Sequence, residues 1–263
     1  MSSKKIKPFF SIITPTHKRR EKLERAITSL LMQSVTNWEM IIVNDSPEDE
    51  SYADFKVEYE REPRITYAVN EKNMGVNFSR NRALDLVSKE SKWVIFLDDD
   101  DYLAEDALKE IEKLTRANNS VNWFVTNRAY TNGEALTKFP KNNTEYSYAW
   151  DYLLLKKGKG DATHCIHRTF LKEVYFSQTV KQGEEWFFFY QLGLRSKMFY
   201  HNQNSTLSDG YNMSGGLNFR ARSVAEQITS MYSLFSESRK LGLTYHFTFL
   251  SYLTLRLLKA LIK

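Results

Sequence analysis

The chain has 263 residues, 42% hydrophobic and 26% charged, enough for one large domain or a domain with an appendage, and its composition excludes a fibrous or largely disordered polypeptide. A net charge of +5 and a pI near 9.0 suit an anionic ligand such as a nucleotide or phospholipid, but do not argue for nucleic acid. The single cysteine, Cys165, excludes an intramolecular disulfide and is compatible with a reducing compartment.

The N-terminal stretch MSSKKIKPFFSIITPTHKRR is basic, and its short apolar run is interrupted by Pro8 and Pro15. It reads as neither a signal peptide nor a membrane span, so a cytoplasmic protein is expected, soluble or peripheral at the inner face of the membrane. Phe9–Thr14 (FFSIIT) is a short β-branched run closed by Pro15, which predicts a buried strand. Leu23, Ala26, Ile27, Leu30 and Leu31 recur at helical spacing after it. Trp38–Asp45 (WEMIIVND) and Arg64–Asn70 (RITYAVN) predict the second and third strands, Ser79–Ser91 a helix, and WVIFL from Trp93 a fourth strand. Alternation of strand and helix predicts an α/β fold with right-handed crossovers and a mostly parallel sheet. Ligands of such sheets bind beyond the carboxyl ends of the strands, where Asp45 and the run Asp98–Asp101 both fall.

The second half is less regular. VNWFVTNRAY and DATHCIHR read as strands, and GEEWFFFYQLGLRS reads as a helix. The stretch from Ser208 to Arg222 is a Gly/Ser/Asn-rich loop carrying Arg220 and Arg222, read either as a lid over a diphosphate or as a plain basic loop. From about Val224 the chain is helical and apolar, so the expected division is residues 1–222 as an α/β domain and 223–263 as a helical extension.

Four consecutive aspartates at the end of an apolar strand are an electrostatic problem, because crowded carboxylates repel. A divalent cation removes it: Mg²⁺ and Mn²⁺ take hard oxygen ligands, commonly one or two carboxylates with phosphates and water. Extended alternation predicts Asp98 and Asp100 on one side and Asp99 and Asp101 on the other. A solvated turn capping the next helix is the alternative, but capping needs one aspartate. In HCIH, His164 and His167 are three apart on a strand and so face opposite sides, which argues against a zinc site.

The ordered series FFSIITPTHKR, WEMIIVNDS, NEKNMGVNFSRNRAL and WVIFLDDDDYL resembles the family 2 glycosyltransferases of the GT-A fold, well over residues 9–110 and loosely over 160–220. The resemblance implies a Rossmann-like mixed, mostly parallel sheet flanked by helices, a nucleotide-diphosphate sugar donor and a divalent metal, Mn²⁺ or Mg²⁺. It implies that Pro15, Thr16, Arg19 and Arg80 belong to the nucleotide pocket and that Asp45 bonds a uracil-type base, although NDSP stands where the family usually has DDGS. Asp98, Asp99 and Asp100 cover its DXD element; Asp98 and Asp99 are assigned to the nucleotide, and Asp100 chiefly, with Asp98, to the metal. Asp101 is expected to orient its neighbours. GEEW resembles the family's later GED element, which makes Glu185 the expected base, with Glu in place of the usual Asp, and Glu184 its reserve.

The expected activity is therefore inverting transfer from a UDP-sugar to a hydroxyl of a glycan or lipid-linked glycan. A phosphoryl- or nucleotidyl-transferase using the same acidic cluster, and a nucleotide-sugar-binding scaffold without catalysis, are the alternatives. In the tail, Phe247, Leu250, Leu257, Leu258 and Leu261 form an apolar helical face with Arg256, Lys259 and Lys263 as cations. That face is expected to dock on the catalytic domain or on a second subunit, with an interfacial helix drawn to anionic lipid as the alternative.

Overall fold

A computed structural model describes residues 7–59, 61–180, 184–209 and 223–262. The first half runs β1 (Phe10–Thr16), α1 (Arg20–Leu31), β2 (Trp38–Asn44), a short α2 (Phe55–Tyr59), β3 (Ile65–Val69), α3 (Val76–Leu86) and β4 (Trp93–Phe96). Then follow β5 (Asp101–Leu103), α4 (Ala107–Ala117), β6 (Trp123–Tyr130), β7 (Thr144–Tyr146) and a π-type turn over Tyr148–Leu154. The chain continues with β8 (Ala162–His167), α5 (Trp186–Gly193), β9 (Met198–Ser208), α6 (Val224–Lys240) and α7 (Phe247–Leu261).

One sheet carries all of these strands in the order β3-β2-β1-β4-β8-β6-β9-β5, with β7 added on β9. β1 pairs in parallel with β2 and β4, and β2 with β3, so the predicted parallel half is present. Beyond β4 the sheet is mixed: β8 is antiparallel to β4 and β6, β9 is parallel to β6, and β5 and β7 are antiparallel to β9. β1, β2 and β4 are largely apolar because both faces are covered, with Ser11 and Thr14 of β1 buried among the apolar residues. Phe10, Ile12, Met40 and Ile42 point into one core with Leu23, Ala26, Ile27 and Leu30 of α1. Ile13, Ile41 and Val43 enter the other, with Ala83 of α3 and Phe187 and Phe188 of α5. The flanked parallel strands deliver the chain after β1, β2 and β4 to one edge of the sheet.

The tail is two helices. A capping box between Ser223 and Glu226 starts α6, and Gly242, in the left-handed region at φ 69°, ends it and redirects the chain into α7. The docked face of α7 differs from the expected one. Thr248, Phe249 and Ala260 are buried, with Tyr252 and Leu253 beside them, whereas Phe247, Leu250, Leu257, Leu258 and Leu261 are 37–71% exposed. Aromatic complementarity decides the face: the Phe249 ring lies 5.8 Å from Trp186 and 5.4 Å from Tyr190, and the Tyr190 and Thr248 hydroxyls bond at 2.7 Å. Arg256 is on the docked side too, not among outward cations. No helix among the described residues is long and apolar enough to cross a membrane.

Candidate active site

A cavity of about 950 Å³ opens at the carboxyl ends of β1, β2 and β4 and reaches the start of α5. Its size and its mixture of polar and aromatic walls suit a nucleotide-sized ligand. Pro15, Thr16, Arg19, Asp45, Arg80, Asp98, Asp99, Asp100, Glu184 and Glu185 all line it. Residues scattered from the first strand to α5 thus converge. Arg220 and Arg222 lie outside the described residues.

The four aspartates are not extended. The Asp101 amide donates to the Asp98 carbonyl at 3.1 Å, closing a turn that leads into β5, an element without a sequence signal of its own. The turn overrides the alternation expected of a strand. Asp98, Asp100 and Asp101 come together, each with a carboxylate oxygen within 4.8 Å of the others, and Asp99 turns away. Asp99 is buried and accepts from the Thr16 hydroxyl at 2.8 Å and from the Arg19 guanidinium at 3.2 Å, so it anchors the chain after β1. Asp101, expected only to orient its neighbours, is a member of the cluster.

Three arginines hold these carboxyls. Arg19 reaches Asp100 at 2.9 Å, Arg80 reaches Asp98 at 2.6 Å, and Arg128 reaches Asp101 at 2.7 Å. Burial works to raise Asp98, but Arg80, Arg128 and Arg19 outweigh it and hold the carboxyl below its usual range. For Asp101 burial wins over Arg128 and pushes the carboxyl up to about 7; for Asp99 it wins over Arg19 and pushes it up to about 6. Burial disfavours the Arg80 guanidinium as a cation, yet Glu185 and Asp98 more than restore it, so it stays charged. Five carboxyls, those of Asp98–Asp101 and Glu185, thus meet three guanidiniums that ion-pair with them. The three clustered carboxylate oxygens are the hard donor set that Mg²⁺ or Mn²⁺ takes, and a dication would offset the excess negative charge.

Asp45 ties a loop to the end of β2. Its Oδ1 accepts from Asn70 and the Met74 amide, and its Oδ2 from the Gly75 amide, all at 2.7 Å. A carboxylate oxygen accepts two bonds, so Oδ2 keeps capacity for one more donor. Gly75, at φ 94°, starts α3 in a conformation closed to most side chains, and Arg80 of that helix reaches the cluster.

Glu184 and Glu185 differ sharply. Glu185 begins α5, its side chain is about half exposed, and its Oε1 accepts from Arg80 at 2.6 Å. The Glu184 side chain is 1% exposed and is gripped by Arg256 of α7 at 2.8 and 2.9 Å. The two histidines of HCIH diverge: His164 stacks on Phe189 at 3.9 Å and accepts from the Trp123 indole, while His167 meets the Trp93 ring edge-on. Burial pushes His164 down to about 3, so it is a neutral wall of the cavity.

Arg128 and Arg256 were not read as site residues. Arg128 is the one cation of β6 and so hints at a buried anionic partner without naming it, whereas Arg256 shares α7 with Lys259 and nothing in the linear chain separates the two.

A nine-stranded sheet whose parallel half ends at a nucleotide-sized acidic cavity defines the GT-A type of transferase fold. The model of glycosyl transferase family 2 matches residues 11–180, and the chain belongs to that family. It is 30% identical over 201 residues to the minor teichoic acid biosynthesis protein GgaA of Bacillus subtilis, covering 72% of this chain and 44% of that one. It is 28% identical over 166 residues to the Escherichia coli UDP-Glc:α-D-GlcNAc-diphosphoundecaprenol β-1,3-glucosyltransferase WfgD, covering 63% of each. Among solved structures, S. aureus TarS 1–349 in complex with UDP-GlcNAc superposes with a TM-score of 0.70 at 19% identity, over 86% of this chain and 65% of that one. The chain therefore spans less than two thirds of the length of each of these three proteins.

Proposed function

We propose that this chain moves a sugar from a nucleotide-diphosphate sugar, a UDP-sugar by preference, to a hydroxyl of a glycan or lipid-linked glycan of the cell envelope, with inversion. The carrying observation is the Arg80 guanidinium, which bonds Asp98 on one side and Glu185 on the other, both at 2.6 Å. It sets a half-exposed carboxylate at the mouth of the acidic cluster, the pairing of base and diphosphate site that single displacement requires. Family membership favours sugar transfer over phosphoryl or nucleotidyl transfer, and the named donors of WfgD and of the TarS complex support UDP.

In this reading Asp98, Asp100 and Asp101 would hold Mn²⁺ or Mg²⁺, which supplies Lewis-acid stabilisation of the departing diphosphate. Pro15 and Thr16 at the end of β1, with Arg19 just beyond it, form the nucleotide wall, and Asp99 keeps that wall in place. Asp45 Oδ2 takes a base N–H. Glu185 Oε2, the oxygen not engaged by Arg80, accepts the proton of the attacking hydroxyl. Residues 1–222 make up the transferase domain and 223–263 an extension, which packs upon it through Leu234, Leu243 and Phe249.

The test is thermal denaturation with UDP and Mn²⁺. Saturation at about 100 Kd adds ~2.7 kcal/mol to the native state, which for a chain of this size raises Tm by ~5–10 °C. UDP with Mn²⁺ is expected to do this, and UDP alone to do less. Equal melting temperatures with and without both would sink the proposal; preference for GDP or CMP would overturn only the base.

The outward face of α7, with Leu250, Leu257, Leu258 and Leu261 beside Lys259, supports peripheral contact with an anionic membrane. The chain is expected to float with vesicles containing anionic lipid. Replacing Leu257 and Leu258 together by Ser is expected to weaken this by at least about tenfold, since each buried leucine contributes ~1.5–3 kcal/mol. A chain that ignores vesicles and sediments as a dimer would assign the face to self-association.

A further inference from the structure

We propose that Arg256, from the C-terminal helix, is a positioning residue for sugar transfer: it locks Glu184 and thereby sets Glu185 on its line of attack. This rests on Glu185 as the base. Glu184 has φ 61°, a left-handed backbone conformation that few residues with a Cβ adopt and that persists only where the surroundings hold it. The holding contacts are specific. Arg256 Nη1 and Nη2 bond the two carboxylate oxygens at 2.8 and 2.9 Å, and the Trp186 indole donates to Oε2 at 2.5 Å. The fork is itself seated, with the guanidinium 5.7 Å from the Trp186 ring and 5.9 Å from the Tyr252 ring. A two-pronged planar contact fixes orientation as well as distance, which a lysine would not.

The next residue is Glu185. A peptide plane released from the left-handed state at Glu184 swings the Cα–Cβ bond of Glu185, and with it the carboxylate that meets Arg80. Two adjacent glutamates are thus held by two arginines from remote parts of the chain, Arg80 of α3 and Arg256 of α7. The first defines where the base must be; the second fixes the backbone from which it reaches. Arg256 then takes part in the chemistry through Glu184, while Tyr252 of the same helix lines the cavity.

Arg256→Met alone strands a buried carboxylate and is liable to unfold, so the informative variant is Glu184→Gln with Arg256→Met, a neutral pair that keeps an acceptor for the Trp186 indole. Measured with Arg256→Lys and Glu185→Gln, it is expected to bind UDP with wild-type stoichiometry and a Kd within about twofold, leave the donor KM unchanged, and lose ~10²-fold in kcat, the scale of a ~1 Å misplacement. Arg256→Lys is expected to fall between. Wild-type kcat in the neutral pair, with Glu185→Gln inactive, would overturn the proposal and leave the ion pair a stabilising contact only. Loss of UDP binding in step with kcat would overturn it as well, since that marks general disruption. An active Glu185→Gln would instead remove the base assignment on which the proposal stands.

Discussion

Glu185→Gln is expected to lower kcat for sugar transfer by ~10²–10⁴-fold, the usual cost of removing a general base, while donor affinity changes by less than about twofold. Glutamine fills the same space and its amide oxygen still accepts from Arg80, so the contact at 2.6 Å survives with less charge. What it cannot do at neutral pH is take a proton. The competing explanation is that Glu185 only begins α5, where an acid near the helix start contributes ~0.3–1 kcal/mol through the dipole. A loss of that size would change the folded fraction of a stable protein negligibly, and kcat hardly at all. The decisive measurement is turnover with the natural acceptor beside donor binding by calorimetry. Retention of most activity would leave GEEW as a helix start and place the base elsewhere.

Asp100→Asn is expected to lower metal-supported transfer by at least ~10²-fold at any attainable Mn²⁺ concentration. Even outer partners of metal ligands cost ~10–100-fold on removal, and a ligand should cost more. Asparagine keeps the shape and an acceptor for Arg19 but gives up one of the three charges gathered within 4.8 Å. Removing a carboxylate from a crowded group also relieves repulsion, so the metal-free variant is expected to melt at or above the wild-type temperature. A fall in activity without loss of stability separates this role from that of Asp99, whose buried carboxyl braces Thr16 and Arg19. Near-normal transfer by Asp100→Asn at saturating Mn²⁺ would remove it from the proposed metal site.

The parallel half of the sheet and the gathering of its polar residues were legible in the linear chain, because they follow from local rules. A strand buried on both faces is mostly apolar, as MIIV and WVIF are throughout and FSIIT is apart from Ser11 and Thr14, and polar residues directly after such runs are carried to the same edge. Thr16, Arg19, Asp45, Arg80 and the aspartates meet there for that reason. Their mutual geometry was not legible. Alternation along an extended chain pairs Asp98 with Asp100 and Asp99 with Asp101, whereas the turn closed by the Asp101 amide groups Asp98 with Asp100 and Asp101 and sends Asp99 toward β1.

The separation of Glu184 from Glu185, and the face on which α7 docks, also depended on partners far away in sequence. Two neighbouring glutamates are equivalent in a string of letters. They become a buried, ion-paired residue and a half-exposed one only because Arg256, 72 positions later, and Arg80, 105 positions earlier, arrive from opposite sides. The leucine-rich stripe of α7 is the more apolar by composition, yet it faces outward, since Phe249 and Tyr252 find matching rings on α5 and Arg256 finds a buried carboxylate. Sequence by itself therefore determined the layered α/β scaffold and the end of the sheet at which the polar residues collect, because burial and periodicity act between near neighbours. Tertiary structure alone decided which carboxylates cluster, which glutamate stays accessible and which helix face docks, because charge pairing and ring packing act through space between segments that the chain order keeps apart.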